Sequence, residues 1–424
     1  MKYNKIYLFA IIYKVIFEWI YWKFVTPQYD YMGLIWNPNI NFCYLSYLLF
    51  FLLLFLLPKK KERPSHQLAQ LFFFTTVIPL LSFYWLTSSS TTYMVLIVSC
   101  FGLLSIILRY LRPFSIPLLT FEGRKSMSKI INYIFLATII LLTLFTVKYG
   151  GIDLRTLNFE QIYDLREEKI HSGIWGYIES WLGKFFIPIC IITYLLQKRK
   201  ILFTISSLMQ IYLYMSTGSK TYLFSVIFIV FCIYLLKSKR WEVGIPQFYT
   251  IVIVLSTIFY LITKNLWSLA IFPVRQLVIP AQISFAHYDF FSVNPKLYFS
   301  EGIIGKIIGT ESPYNTISTF MIGDGRGNWN TGYLGDAYDN GGFILMVVYT
   351  IIFAMILLFV DSVSRFSKKR YQYTALLAYS IIVLNDGALL TTLLTSGMVF
   401  TLIFIYFAAS EEYHVKSKRP IVST

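Results

Sequence analysis

Apolar residues run along this chain in long blocks, separated by short polar stretches. Twelve blocks are each about long enough to cross ~30 Å of hydrocarbon as a helix. They cover residues 5–22, 40–57, 68–86, 92–109, 130–147, 174–196, 201–216, 221–236, 247–264, 343–361, 372–385 and 388–408. A bilayer core has no water to satisfy peptide groups, so only helices and closed barrels cross it. Blocks of this length are helical. The pattern therefore predicts an all-α, polytopic membrane protein with about 12 transmembrane helices. Residues 1–147 hold the first five helices, 148–173 a first external loop and 174–264 helices six to nine. Residues 265–341 form one large extracytoplasmic loop, and 342–424 hold the last three helices and a tail.

Composition points the same way. Only 14% of residues are charged, against about 25% in soluble domains, and mean hydropathy is +0.62. The first block runs into "YWKFVTPQYDY" instead of a small-residue cleavage site, so it reads as a retained anchor. Cys43, Cys100, Cys190 and Cys232 all fall inside predicted helices. They imply neither a disulfide framework nor a metal site.

A net charge of +16 would suggest nucleic acid in a soluble protein, but its distribution says otherwise. With the amino terminus in the cytoplasm, "PKKKER", "EGRKSMSK", "QKRK", "KSKR", "SRFSKKR" and "KSKRP" fall on one side. That side holds 24 of the 37 Lys and Arg, although its loops are the shorter ones. This is the positive-inside pattern. It predicts a multi-pass membrane protein with both termini cytoplasmic and no nucleic-acid partner.

The loop at 265–341 is far longer than ordinary connections and too rich in aromatic and branched residues for disorder. In it "VRQLVIPAQISFAHYDFF" (274–291) has apolar residues at helical spacing, interrupted by Pro280. One or two short helices lying on or dipping into the outer face are expected there. The loop closes with "GDGRGNWNTGYLGDAYDNGG" (323–342), which holds seven of the chain's 22 glycines.

Each candidate motif has two readings. "TGSKT" (217–221) is not a phosphate-binding loop: Ser219 separates Gly218 from Lys220, and Leu213 takes the first glycine position. Lys220 stands near a helix amino terminus, which suits an anionic headgroup or diphosphate; the alternative is a lysine snorkelling to the interface. "DGRGNWN" fails as a calcium loop, with Arg326 at the third position and Trp329 where glycine belongs. Its glycines suit an anion nest, and Asn330, Asp336 and Asp339 beside Trp329, Tyr333 and Tyr338 suit sugar hydroxyls and ring faces. The alternative is a turn-rich exposed loop. Arg275 either meets an anion or pairs within the protein. His287 and Asp289, two positions apart, share a face only in an extended segment, and a surface histidine is the plainer reading. Lys14 and Glu18, four apart, make either a helix pair or a relay. Asp386 reads as a turn residue.

Taken in order, "GSK", "RQLVIPAQISFAHYDFFSVNPKLYFS" and "NTGYLGDAYDNGGFILMVV" resemble the Wzy-type oligosaccharide repeat-unit polymerases of bacterial O-antigen and capsule synthesis. The likeness covers about residues 200–410; Lys220 stands where family members commonly have arginine, which keeps the charge and loses the bidentate fork. The resemblance implies an integral-membrane glycosyltransferase that joins glycan repeat units carried on undecaprenyl diphosphate. It implies membrane lipid, a chain-length regulator and a flippase as partners, and no cofactor or metal. For such chemistry Arg275, Lys220 and Arg326 are the candidate cations, with Arg275 and Arg326 placed as catalytic. His287 or Asp289 would serve as the base, with Asp336 and Asp339 in reserve. An O-antigen ligase would share this plan. A lipid-linked oligosaccharide flippase would too, but it should carry charges within its helices and short loops on both sides.

Overall fold

A computed structural model describes residues 3–417 except 61, 119–125, 158–160, 163, 164, 166, 167, 169–172, 324–327, 366 and 368. All the regular structure among the described residues is helical, without strands. Eight helices are long and apolar enough to cross a membrane: Pro64–Leu86, Thr91–Tyr110, Lys129–Tyr149, Ile174–Leu196, Lys220–Lys237, Trp241–Thr263, Trp267–Val293 and Tyr333–Ser364. The protein is a membrane-embedded helical bundle. Seven of these eight coincide with apolar blocks in the sequence; the other, Trp267–Val293, falls in the segment expected to be loop. Tyr3–Ile20, Ile40–Leu56, Lys200–Thr217 and Tyr371–Val383 are also helices, while the last block divides at Gly397 into Leu389–Leu394 and Met398–Ser417.

Local chemistry sets several of the ends. The Asn39 side chain accepts from the amides of Asn41 and Phe42, capping Ile40–Leu56, and Ser90 caps Thr91–Tyr110 in the same way. Gly218, with φ at +70°, ends Lys200–Thr217 and lets Lys220 start the next helix two residues later.

Two polar clusters tie the helices together. Lys14 Nζ is fully buried and donates to Glu18, Ser46 Oγ and Ser82 Oγ; Glu18 also accepts from Tyr47 and Trp85. Every ammonium hydrogen has an acceptor, so Lys14 and Glu18 form a helix pair that fastens the first helix to its neighbours. At the opposite end of Pro64–Leu86, Asp361 accepts from Arg63 Nε, Ser65 Oγ and the Ser65 amide. Basic clusters lie at this end, beside Arg63, Arg199 and Arg240.

Two elements do not run from end to end. The first is Trp267–Val293. The turn at Tyr29–Met32 touches both Leu266 and Gln282: Tyr29 donates to the Leu266 carbonyl and Gln282 to that of Met32. Sixteen residues of straight helix span about 24 Å, so this helix lies across that end of the bundle. Its middle dips inward until Phe272 meets Phe248 and Tyr249, and Ser284 returns to Tyr93 at 2.7 Å. It is one continuous helix, where the sequence suggested a break at Pro280. Pro280 cannot donate to the ladder, and the carbonyl four residues before it, that of Gln276, accepts from the Asn385 side chain at 2.8 Å. Pro273 sits within a π-helical stretch, Ala270–Val278.

The second is the start of Tyr333–Ser364. Tyr333 and Phe353 are twenty residues apart, about 30 Å in a straight helix, yet their rings lie 5.6 Å apart. The helix folds back on itself at Gly341 and Gly342, and Gly342 has φ +63° and ψ −153°. Residues 333–340 thus form a short arm against 343–353. The arm's tip enters the bundle: Gly332 packs so close that a Cβ there would lie 2.6 Å from the Asn385 carbonyl oxygen.

Candidate active site

The crossing helix and the arm meet at His287 and Asp339. On Ile279–Val293, His287 points into the protein and is 1% exposed, while Asp289, two residues on, is exposed on another face. A helix turns about 100° per residue, which separates them. The surface-histidine expectation fails here, because the arm covers the ring. His287 Nδ1 lies 2.6 Å from Asp339 Oδ2, and Nε2 lies 2.7 Å from the Trp329 carbonyl oxygen. Asp339 Oδ1 is buried with no hydrogen-bond partner among the described residues.

The surrounding groups come from the same two elements and the segment between them. Asn340 donates to the Asp336 carbonyl at 2.8 Å and to its carboxylate at 3.2 Å, and accepts from the Phe299 amide. The Leu297 amide donates to the Asp339 carbonyl at 2.9 Å. Tyr93, Tyr288 and Tyr338 form an aromatic pile, with Tyr93 stacked on Tyr288 at 4.7 Å. Lys296 covers Tyr338, and burial lowers its ammonium to about 8 while Asp339 opposes the shift.

Beside this centre an open cleft of about 520 Å³ is lined by Glu301, Ser312, Tyr314, Phe320 and Asn328, among others. Tyr314 packs on Phe290 and Phe291 and donates to the Pro295 carbonyl, joining the cleft to the crossing helix.

The remaining site candidates scatter. Tyr333 is buried between Phe72 and Phe353, so its ring packs the core and offers no face to a sugar. Asn330 is exposed, and Tyr338 presents one face to Lys296. Trp329 enters the site through its main chain. Arg275 is exposed on the π-helical stretch, twelve residues and about 18 Å of helix before His287. Lys220 stands 4.5 Å over the ring of Trp267, at the start of that same helix. Lys220 and Arg275 therefore belong to one region and His287 with Asp339 to another. Arg326 lies outside the described residues. Asn385 donates to the Gln276 carbonyl, which brings the Asp386 turn against the residue after Arg275.

The glycines have found another use. Half of the glycine-rich ribbon is helix, Gly342 supplies the fold-back, and the missing side chains at Gly332 and Gly335 admit Asn385 and Thr331. Sequence reasoning missed Lys296, Glu301 and Asn340. The only signal for Lys296 was a cation set among aromatics in "DFFSVNPKLYF".

Chemically, the centre offers a buried proton-sharing pair, two further carboxylates at Asp336 and Asp289, a lysine of lowered basicity and a polar cleft with aromatic edges. Among the described residues no group of three His, Cys, Asp or Glu side chains is arranged to hold a metal ion. The chain matches no protein-family model, no curated protein and no solved structure.

Proposed function

We propose that this protein polymerises undecaprenyl-diphosphate-linked oligosaccharide repeat units into O-antigen or capsular polysaccharide at the outer face of a bacterial cytoplasmic membrane, threading it about twelve times with both termini inside. The observation that carries the reading is the joint placement of Lys220 and Arg275. Lys220 begins its helix over Trp267, and Arg275 stands exposed on the π-helical stretch that Trp267 leads into. π-Helical turns gather at functional sites, and a lipid diphosphate needs cations at the membrane boundary.

The reaction cleaves the bond between the growing glycan and its lipid diphosphate. The terminal hydroxyl of a new lipid-linked unit attacks the anomeric carbon, its proton passes to a base, and the lipid diphosphate leaves with the electron pair. Arg275 and Lys220 stabilise the charge developing on the leaving oxygen; preorganised donors of this kind contribute roughly 10²–10³ in rate. Arg326 is a third candidate. Asp289 and Asp336 are the carboxylates for the acceptor hydroxyl, and the aromatic and amide groups beside them suit neutral sugar rings.

The deciding experiment supplies the purified protein with one defined lipid-linked repeat unit and follows chain growth. A ladder of extended lipid-linked glycan is expected. Transfer only to a lipid A core would identify a ligase. Movement of the lipid-linked unit across a vesicle bilayer without extension would identify a flippase.

A further inference from the structure

The His287 ring faces a hydrogen-bond acceptor on each side. A peptide carbonyl has no hydrogen to give, so at 2.7 Å from the Trp329 oxygen, Nε2 must carry one. The 2.6 Å contact between Nδ1 and Asp339 Oδ2 holds a second hydrogen, whichever atom it rests on. The pair therefore keeps two protons between three sites. Nε2 has no lone pair to offer, and Nδ1 is sealed against Asp339 in the protein interior.

The bonds around the ring close into a circuit. Trp329 donates its amide to the Thr319 carbonyl at 3.0 Å. Its neighbour Ser318 donates through both amide and hydroxyl to the Glu301 carboxylate, each at 2.8 Å. The turn before Glu301 returns to the arm through Leu297 to Asp339 and Phe299 to Asn340. His287 completes the loop from Asp339 to Trp329. Removing it opens the circuit at the one point where the crossing helix takes part.

We propose that His287 is a positioning residue, a donor to Trp329 and a proton-sharing partner of Asp339 that straps the two together, and not the proton acceptor of the reaction. Through Trp329 it holds the Asn328 wall of the cleft and the entry to the arm. The charged groups that face the pair are Asp336 on the arm, and Lys296 and Glu301, which act on Asp339. The protonation claim stands independently of the polymerase reading, whereas the kinetic test rests on it.

Two measurements test it. Protein labelled with ¹⁵N-histidine, held in lipid nanodiscs at neutral pH, reports which ring nitrogens bear hydrogen. His287 is identified by comparison with His287→Gln, or by through-bond correlation if that variant does not accumulate. Hydrogen on Nε2 is expected; a bare Nε2 overturns the proposal even if the protein makes no polymer. In the repeat-unit assay, His287→Gln keeps an amide donor for Trp329, so kcat stays within about tenfold while KM rises. A base would be worth ~10²–10⁴-fold; a kcat loss of that size at unchanged KM overturns the positioning role.

Discussion

Lys296 stands over the face of Tyr338, its ammonium nitrogen 3.4 Å from the ring centroid, and donates to the Phe291 carbonyl at 2.8 Å. One long side chain thus joins the crossing helix to the arm, beside the His287–Asp339 pair. Cation–π attraction grows as water is removed, and burial here also weakens the hold on the proton.

The Lys296 ammonium, lowered from 10.5 to about 8, is charged below that pH and neutral above it. Activity that uses this charge falls as pH rises through about 8. Lys296→Arg moves that limb to higher pH, and Lys296→Met lowers activity throughout; a limb unmoved in Lys296→Arg assigns it to another group. Stability behaves oppositely. Between about 8 and 10.5 the unfolded chain binds the proton and the folded one does not, so stability rises with pH across that window. Thermal midpoints of Lys296→Met should lack the rise.

Gly342→Ala places a side chain at φ +63°. With ψ at −153° this backbone lies in a region populated almost only by glycine, and holding another residue there costs about 1–3 kcal/mol. The arm then leaves its angle and His287 loses Asp339. A lowered thermal midpoint is expected, together with loss of the second ring hydrogen contact by NMR. Gly302→Ala is the comparison: its φ is −104° and the nearest atom to a new Cβ is 3.5 Å away. Equal midpoints for the two variants would mean that the fold-back does not depend on glycine.

Asp361→Ala removes the acceptor of Arg63 Nε, of Ser65 Oγ and of the Ser65 amide. Leaving one partner of a buried ion pair uncompensated costs roughly 3–5 kcal/mol. Membrane yield and thermal midpoint should both fall sharply, and Asp361→Asn should recover part of the loss by keeping two acceptor positions. Arg63→Ala should cost less, because its guanidinium side is the more exposed: 12% against 2% for Asp361.

Arg275→Ala should collapse the glycan ladder by roughly 10²–10³ in rate while membrane protein levels hold. Arg275→Lys should retain a fraction, since it keeps charge and loses the planar fork. Lys220→Ala should act in the same direction. Ladders unchanged in both alanine variants would remove this pair from the reaction.

Much of the fold was legible because lipid leaves only one rule for most of the chain: apolar blocks of about twenty residues become helices. The structure ends helices at Asn39, Ser90 and Gly218 by ordinary capping chemistry. The same rule hid Trp267–Val293, whose apolar content is diluted by Arg275, Gln276, Gln282, His287 and Asp289, and which lies across the bundle instead of along it. The arm was hidden for the opposite reason. "NTGYLGDAYDNGG" has turn composition, yet Tyr333, Leu334 and Ala337 supply one buried face once the bundle is there to receive it. His287 and Asp339 lie 52 residues apart, and their pairing depends on a fold-back at Gly341 and Gly342 that composition does not show. Arg275 and Lys220 were visible as isolated cations, but their shared neighbour Trp267 was not.

The fold-back at Gly341–Gly342 also governs parity. The crossing helix and the arm each return to the end of the bundle from which they leave, so neither changes which side the chain emerges on. Reporters fused after Lys264 and after Gly309 should therefore register the same compartment. Counting Trp267–Val293 as a crossing, as its length and composition would allow, places them on opposite sides and inverts every assignment that follows.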